Sequence, residues 1–211
     1  MSFFITLEGP DGCGKTTQSE QLIKHLRESE HKIIDTREPG GTTIGDQIRF
    51  VLMKLDNTAM NPRTEFLLFS ASRAQLVDEV IRPGLAEGAI VVSDRFYDSS
   101  LAYQGYGHGL DLETLKTVTE FATGGLVPDL SLLLDLPAAS GLERRKDDGR
   151  WNRLDDYDKE FHRRVRKGYR ALAEADPQRW RIVDATQSPD KVQLAIREIV
   201  RESLAKAVAD A

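Results

Sequence analysis

Apolar residues follow two alternating rhythms along the chain. Short, nearly unbroken apolar runs fall within residues 3–8, 32–36, 89–93, 129–136 and 179–185. They have strand length and the continuity of strands buried on both faces. Between them, apolar residues recur every third or fourth position. Leu22, Ile23 and Leu26 mark a helix over about 16–27, and Ile44, Ile48, Val51, Leu52 and Leu55 mark another. Asn61-Pro62 opens a third that runs towards Ile81, with Pro83-Gly84 expected to kink or end it. Ser99, Ser100, Tyr103 and Gln104 predict a short helix, and Gly105, Gly107 and Gly109 a flexible loop after it. Asp111 begins a helix that Gly124-Gly125 stops, and Pro137 begins the next. Phe161, Val165, Tyr169 and Leu172 predict a helix over about 156–175, and Ser188-Pro189 caps the last. Strands alternating with helices predict an α/β fold, a five-stranded parallel sheet with helices on both faces.

The turn after the first strand changes this from a fold reading to a chemical one. Gly9-Pro10-Asp11-Gly12-Cys13-Gly14-Lys15-Thr16 fits G-x-x-x-x-G-K-[ST], the phosphate-binding P-loop, and it lies between a strand and a helix as that loop must. Glycines let successive N–H groups turn into one anion-sized hollow, at which the helix also aims its positive dipole end. Lys15 supplies a mobile charge for the outer phosphates, and the Thr16 hydroxyl can ligate Mg²⁺. The fold is therefore expected to be of the P-loop NTPase type.

Other polar groups collect where open parallel sheets bind ligands, beyond the carboxyl ends of strands. Arg37-Glu38-Pro39-Gly40-Gly41 is one such stretch, read equally well as a binding element or as an ion pair closing a loop. Asp94-Arg95 is another: the acid suits Mg²⁺ and the guanidinium suits a phosphate. Phe69 and Arg73 share a helix face and can sandwich and hydrogen-bond a flat heterocycle, although an aromatic at helical spacing is more often core. Arg49, beside an apolar stripe, is more often a solvated side chain than a ligand. The charged run 143–150 is either a solvated face or a cover over a triphosphate.

Composition narrows the partners. A net charge of -5 argues against a nucleic-acid polymer, and no apolar run approaches a membrane span. The start, Met1-Ser2 followed directly by a strand, lacks a signal-peptide pattern, so a cytoplasmic location is expected. Cys13 is the only cysteine. Beside a phosphate site at a helix start, it is expected to have a lowered pKa and to be sensitive to oxidation. With no linker or repeat, residues 1–211 are expected to form a single domain.

Over nearly its whole length the chain resembles the thymidylate kinases, bacterial dTMP kinases of the nucleoside monophosphate kinase fold. The matching marks are Glu8 to Thr17, Thr36 to Gly41, Asp94-Arg95, Ala102 to Gly105, Pro128 to Leu130 with Leu134-Asp135, and Asp184-Ala185. The resemblance implies transfer of a phosphoryl group from ATP to dTMP with Mg²⁺, giving dTDP for dTTP biosynthesis. It implies that Gly9, Pro10, Asp11, Gly12, Cys13, Gly14, Lys15, Thr16 and Thr17 hold the ATP phosphates, with Thr16 and Asp94 at the metal. It places Asp11 near the sugar and phosphate of dTMP, Phe69 on the thymine ring, and Arg73 at the base edge. Arg37, Pro39, Arg49 and Arg95 would line the acceptor-phosphate side. Ser100, Tyr103 and Gln104 would lie beside the deoxyribose and base.

No P-loop position between Gly9 and Gly14 is basic, so the chain resembles the subgroup that supplies a catalytic arginine from the lid, about residues 141–153. Arg150 and Arg145 rank ahead of Arg144, and Arg153 also lies in that stretch. A homodimer is implied, with Phe66-Leu67-Leu68 a candidate face. Two other readings compete: another P-loop nucleotide or deoxynucleoside kinase, and a switch protein that hydrolyses ATP without an acceptor.

Overall fold

The structure, a computed structural model, describes residues 2–28, 31–147 and 151–209. Five strands, β1 (Phe3–Glu8), β2 (Ile33–Arg37), β3 (Ile90–Asp94), β4 (Leu130–Asp135) and β5 (Trp180–Asp184), form one parallel sheet in the order β2-β3-β1-β4-β5. In the central strand, Ile5 pairs with Val92 on one side and Leu130 on the other. Arg37, Leu7 and Asp94 are register partners across β2, β1 and β3, so the polar ends of those strands emerge along one edge.

The period of two divides the strand residues between two cores. Phe3, Ile5 and Leu7 face α1 (Lys15–Leu26) and α9 (Pro189–Ala209), joined by Leu22, Ile23, Ile196 and Val200. Phe4 and Val91 face the opposite way, onto Leu76, Ile81 and Phe96. A third apolar cluster forms where α8 (Lys159–Ala175) lays Phe161, Val165, Tyr169 and Ala173 against Leu133 and Tyr103. Those four residues are each four apart, so they form one stripe. Helices thus cover both faces of the sheet, as the alternating pattern predicts.

Between β2 and β3 run α2 (Thr43–Met53) and α3 (Pro62–Leu76). The third helix does not end at Pro83. It widens into a π-helical turn, Val77–Ile81, and continues as α4 (Arg82–Ala86). The Arg82 N–H reaches Val77 O, and the register shift falls just before the proline, which has no N–H to place. Phe66 of α3 is buried with Leu101 and Leu115, so of the triplet suggested for a dimer face it belongs to the core, while Leu67 is exposed.

After β3, α5 (Tyr97–Ser100) leads into a second π-helical segment, Leu101–Gly107, followed by α6 (Leu112–Thr123). The expectation of a flexible loop at Gly105 and Gly107 is therefore wrong. Both glycines are buried inside that segment, where a Cβ would lie 2.5 Å from Leu112 and 2.7 Å from Phe161. They are small because α6 and α8 press against them. Beyond β4, α7 (Ala138–Asp147) carries the first part of the lid stretch, and a 3₁₀ turn, Arg153–Asp156, follows its described end.

Candidate active site

The loop between β1 and α1 has the geometry its sequence demands. Gly9, Gly12 and Gly14 all have positive φ, at 142°, 76° and 96°. Gly14 caps α1, and Lys15, buried, bends back to donate to Gly9 O at 3.0 Å and Pro10 O at 2.8 Å. Gly12 is also a contact point with α7: a Cβ there would sit 2.0 Å from Gly141 O, and one on Gly141 would sit 2.2 Å from Asp11 O. The start of α7 therefore rests directly on the P-loop backbone.

Asp11, Gly12, Gly14, Lys15, Thr16 and Thr17 open onto a cavity of about 530 Å³ that extends away from the sheet edge. Gly9, Pro10 and Cys13 lie behind its wall. The Thr16 hydroxyl donates to Asp94 at 2.7 Å, so the two groups expected at Mg²⁺ do converge at the cavity mouth. A hydroxyl oxygen and a carboxylate are hard ligands of the kind that ion takes. Cys13 corrects an expectation. Burial pushes its thiol pKa up, against the pull of Lys15 and Arg95, and only 3% of it is exposed.

The middle of the cavity is built around Arg95. Its φ of 75° makes it the only non-glycine with positive φ among the described residues. Its guanidinium donates to Asp11 at 2.6 Å, Tyr169 at 2.9 Å, Ser99 at 3.0 Å and Gly9 O at 3.1 Å. Asp11 also accepts from the Tyr103 hydroxyl. Burial alone would raise the Asp11 carboxyl, but Arg95, Lys15 and Tyr103 hold it well below the usual carboxylate range. Arg37 and Arg49 line the same region. Arg37 pairs with Asp46 at 3.1 Å, and Arg49 donates to Pro39 O at 2.9 Å. Burial lowers the Arg49 pKa, with neighbouring Arg37 adding to the effect. Arg37, Arg49 and Arg95 thus line one part of the cavity, which Lys15 also lines.

The far end of the cavity is lined by an aromatic ring and buried polar side chains. Phe69 lines it half-buried, near Tyr103 and Gln104. Arg73 is fully buried and gives Nε and Nη2 to Glu38, the shortest contact being 2.6 Å, with a further bond to Ser100 at 3.0 Å. Its Nη1 has no partner among the described residues, and neither does Oε1 of buried Gln104, whose amide nitrogen holds Glu65 at 2.7 Å. One donor and one acceptor of the lining residues are therefore unsatisfied within the protein. Glu38 answers the question the sequence left open. It closes an ion pair and, through that pair, fixes a cavity residue.

Arg144 and Arg145 of α7 line the cavity. Arg145 is held by Asp155 through two bonds, at 3.1 and 2.8 Å. Arg153 does not line it. It is buried and ties the 3₁₀ turn to Glu65 at 2.6 Å and Leu52 O at 3.1 Å. Arg150 lies outside the described residues. Sequence reasoning missed Glu8, Ser99 and Tyr169, which surround Arg95 from below. The one available signal was Glu8 itself, the only charged residue in a strand that is mostly apolar.

The sequence profile described as thymidylate kinase matches residues 7–196. The thymidylate kinase of Roseiflexus castenholzii is 51% identical over 218 residues, covering 97% of this chain and 95% of that protein. That of Deinococcus radiodurans is 51% identical over 199 residues, covering 94% and 96%. The crystal structure of thymidylate kinase from Ehrlichia chaffeensis superposes with a TM-score of 0.78 at 32% identity, covering 94% of this chain and 98% of that one. P-loop and arginine-lined cavity occur here in a chain so matched over nearly its whole length, and it belongs to the thymidylate kinase family.

Proposed function

We propose that this chain phosphorylates dTMP to dTDP with ATP, and that the 530 Å³ cavity is where transfer occurs. The observation that carries this reading is the sequence of chemistries along one cavity: P-loop, arginine cluster, then a buried pocket with one free donor and one free acceptor. Those last two, Arg73 Nη1 and Gln104 Oε1, complement the exocyclic oxygen and ring N–H of thymine, with Phe69 against its face.

Transfer between two phosphates needs positioning and charge neutralisation more than covalent chemistry. Lys15 and the loop amides hold the donor phosphates. Arg95, Arg37 and Arg49 hold the acceptor phosphate, which is already ionised and needs no side-chain base. Thr16 and Asp94 would hold Mg²⁺, which when bound neutralises charge on the ATP phosphates. Asp11 keeps Arg95 aimed and stands near the sugar, beside Ser100 and Tyr103. Arg145 faces the donor end from the lid, and Arg150 is the second candidate for that task. Residues 141–153 act as a lid on a single domain, and its closure excludes water as a competing acceptor.

The chain is proposed to work in the cytoplasm as a homodimer. Phe50, Leu67 and Phe121 are exposed on α2, α3 and α6, which pack side by side, and supply its apolar face. A sedimentation experiment giving a monomer at micromolar concentration would refute that part. The site assignment is tested with Lys15→Ala and Arg95→Ala. The first is expected to lose most turnover. The second is expected to raise the KM for dTMP while leaving that for ATP within about twofold. An unchanged dTMP dependence in Arg95→Ala would refute the acceptor role.

A further inference from the structure

We infer that Glu8 is the positioning residue that sets Arg95 for the acceptor phosphate, gripping it through both its backbone and its side chain; this rests on the acceptor role read for Arg95 above. Glu8 ends the central strand and is fully buried, below the cavity floor. Its Oε1 accepts from the Phe96 N–H at 2.7 Å. That N–H follows Arg95, whose φ of 75° lies in the left-handed region that side chains seldom occupy. The Arg95 N–H donates to Leu7 O at 3.0 Å, and Ser93 Oγ donates to Arg95 O at 2.7 Å. Arg95 is thus tied to β1 on both sides, and surroundings of this kind hold a strained residue in place.

The second oxygen carries the argument beyond backbone support. Oε2 is hydrogen-bonded to Ser99 Oγ at 2.6 Å and to the Tyr169 hydroxyl at 3.2 Å, and those two hydroxyls also bond each other at 2.7 Å. The same two hydroxyls receive Nη1 of Arg95, at 3.0 and 2.9 Å. Each hydroxyl therefore bridges Glu8 to the guanidinium, and their positions fix the plane in which it lies. Asp11 then holds the other nitrogen, Nη2. A group needed only to satisfy one buried N–H would use one oxygen. Glu8 uses both, and both lead to Arg95.

The test is a double-mutant cycle on the full-length protein, with KM for dTMP, KM for ATP, kcat and melting temperature measured for Glu8→Ala, Arg95→Ala and the pair. Glu8→Ala is expected to raise the dTMP KM about tenfold and the ATP KM less than about twofold, since it acts through a residue on the acceptor side. In the Arg95→Ala background the same change is expected to add less than about twofold, because the residue it acts through is gone. Should Glu8→Ala fail to fold, Ser99→Ala breaks one bridge alone. It is expected to raise the dTMP KM about threefold in the native background and not in Arg95→Ala. Both KM values rising alike, or the effect persisting without Arg95, would overturn the inference in favour of a general structural role. An Arg95→Ala enzyme with unaltered dTMP KM would overturn the acceptor role itself, and the inference with it. A raised dTMP KM in Arg95→Ala with none in Glu8→Ala would overturn the inference alone.

Discussion

Replacing Arg73 by methionine separates what the base pocket does for stability from what it does for recognition. Arg73 is fully buried and gives three hydrogen bonds, 2.6 to 3.1 Å long, to a Glu38 that is only 6% exposed. Arg73→Met leaves that carboxylate buried with no cation. Breaking one half of such a pair costs about 3–5 kcal/mol. Against a total of about 5–15 kcal/mol for a domain, that is a large fraction. Burial already raises the Glu38 pKa, and Arg73 opposes the rise, so losing Arg73 sends it higher. The folded variant then holds a proton that the unfolded chain releases. Its stability falls as pH rises above the ordinary glutamate range, and the deficit is smallest in acid.

Adding Glu38→Gln removes the stranded charge and is expected to recover at least half of the lost stability. It does not return a guanidinium to the thymine edge. Both variants are expected to raise the dTMP KM ten- to hundredfold, the equivalent of losing a charged hydrogen bond of about 1.5–3 kcal/mol. Urea melts at pH 5.5 and 7.5 and steady-state kinetics read the two effects separately. A single variant that loses less than about 1 kcal/mol would refute the energetics. A double variant that regains the native dTMP KM would refute Arg73 as a base-recognition residue.

Three further outcomes follow from the structure. Gly141→Ala forces a Cβ to within 2.2 Å of Asp11 O, and is expected to displace the P-loop and raise the ATP KM more than the dTMP KM. Cys13, with its pKa raised by burial, is expected to alkylate at pH 8 far more slowly in the folded chain than in urea, and fast native labelling would contradict that. Burial, with Asp98 nearby, pushes Glu8 up to about 8. The folded chain therefore keeps that proton where the unfolded chain loses it. Glu8 lowers stability as pH rises from about 4.5 to 8, by at most about 1.4 kcal/mol per unit, and Glu8→Gln is expected to flatten that part of the stability profile.

The strands, the P-loop and the strand-end arginines Arg37 and Arg95 were legible because each rests on a local rule. A strand reads as an unbroken apolar run, a phosphate loop needs glycines at fixed spacing, and ligands gather at the carboxyl ends of parallel strands. What depended on distant neighbours was not legible. Gly105 and Gly107 look like loop residues until α6 and α8 are seen packed against them. Cys13 looks activated by its place beside a phosphate site at a helix start until burial is included. Arg153 looks like one more lid arginine, yet Glu65, 88 residues away, takes it into the interior. Phe69, Arg73 and Arg49 were weak from spacing alone and became binding candidates through family resemblance. Glu8 was passed over because a charge at a strand's end is ordinary, and its partners Ser99 and Tyr169 are far along the chain.

ADP release by the purified protein with ATP and Mg²⁺, compared across dTMP, dUMP, dCMP, AMP, thymidine and no acceptor, tests the assigned reaction directly. Strong stimulation by dTMP, with dTDP appearing in step with ADP, is the predicted result. ADP released equally without any acceptor would contradict it, because the arginine cluster and base pocket would then have no second substrate to hold.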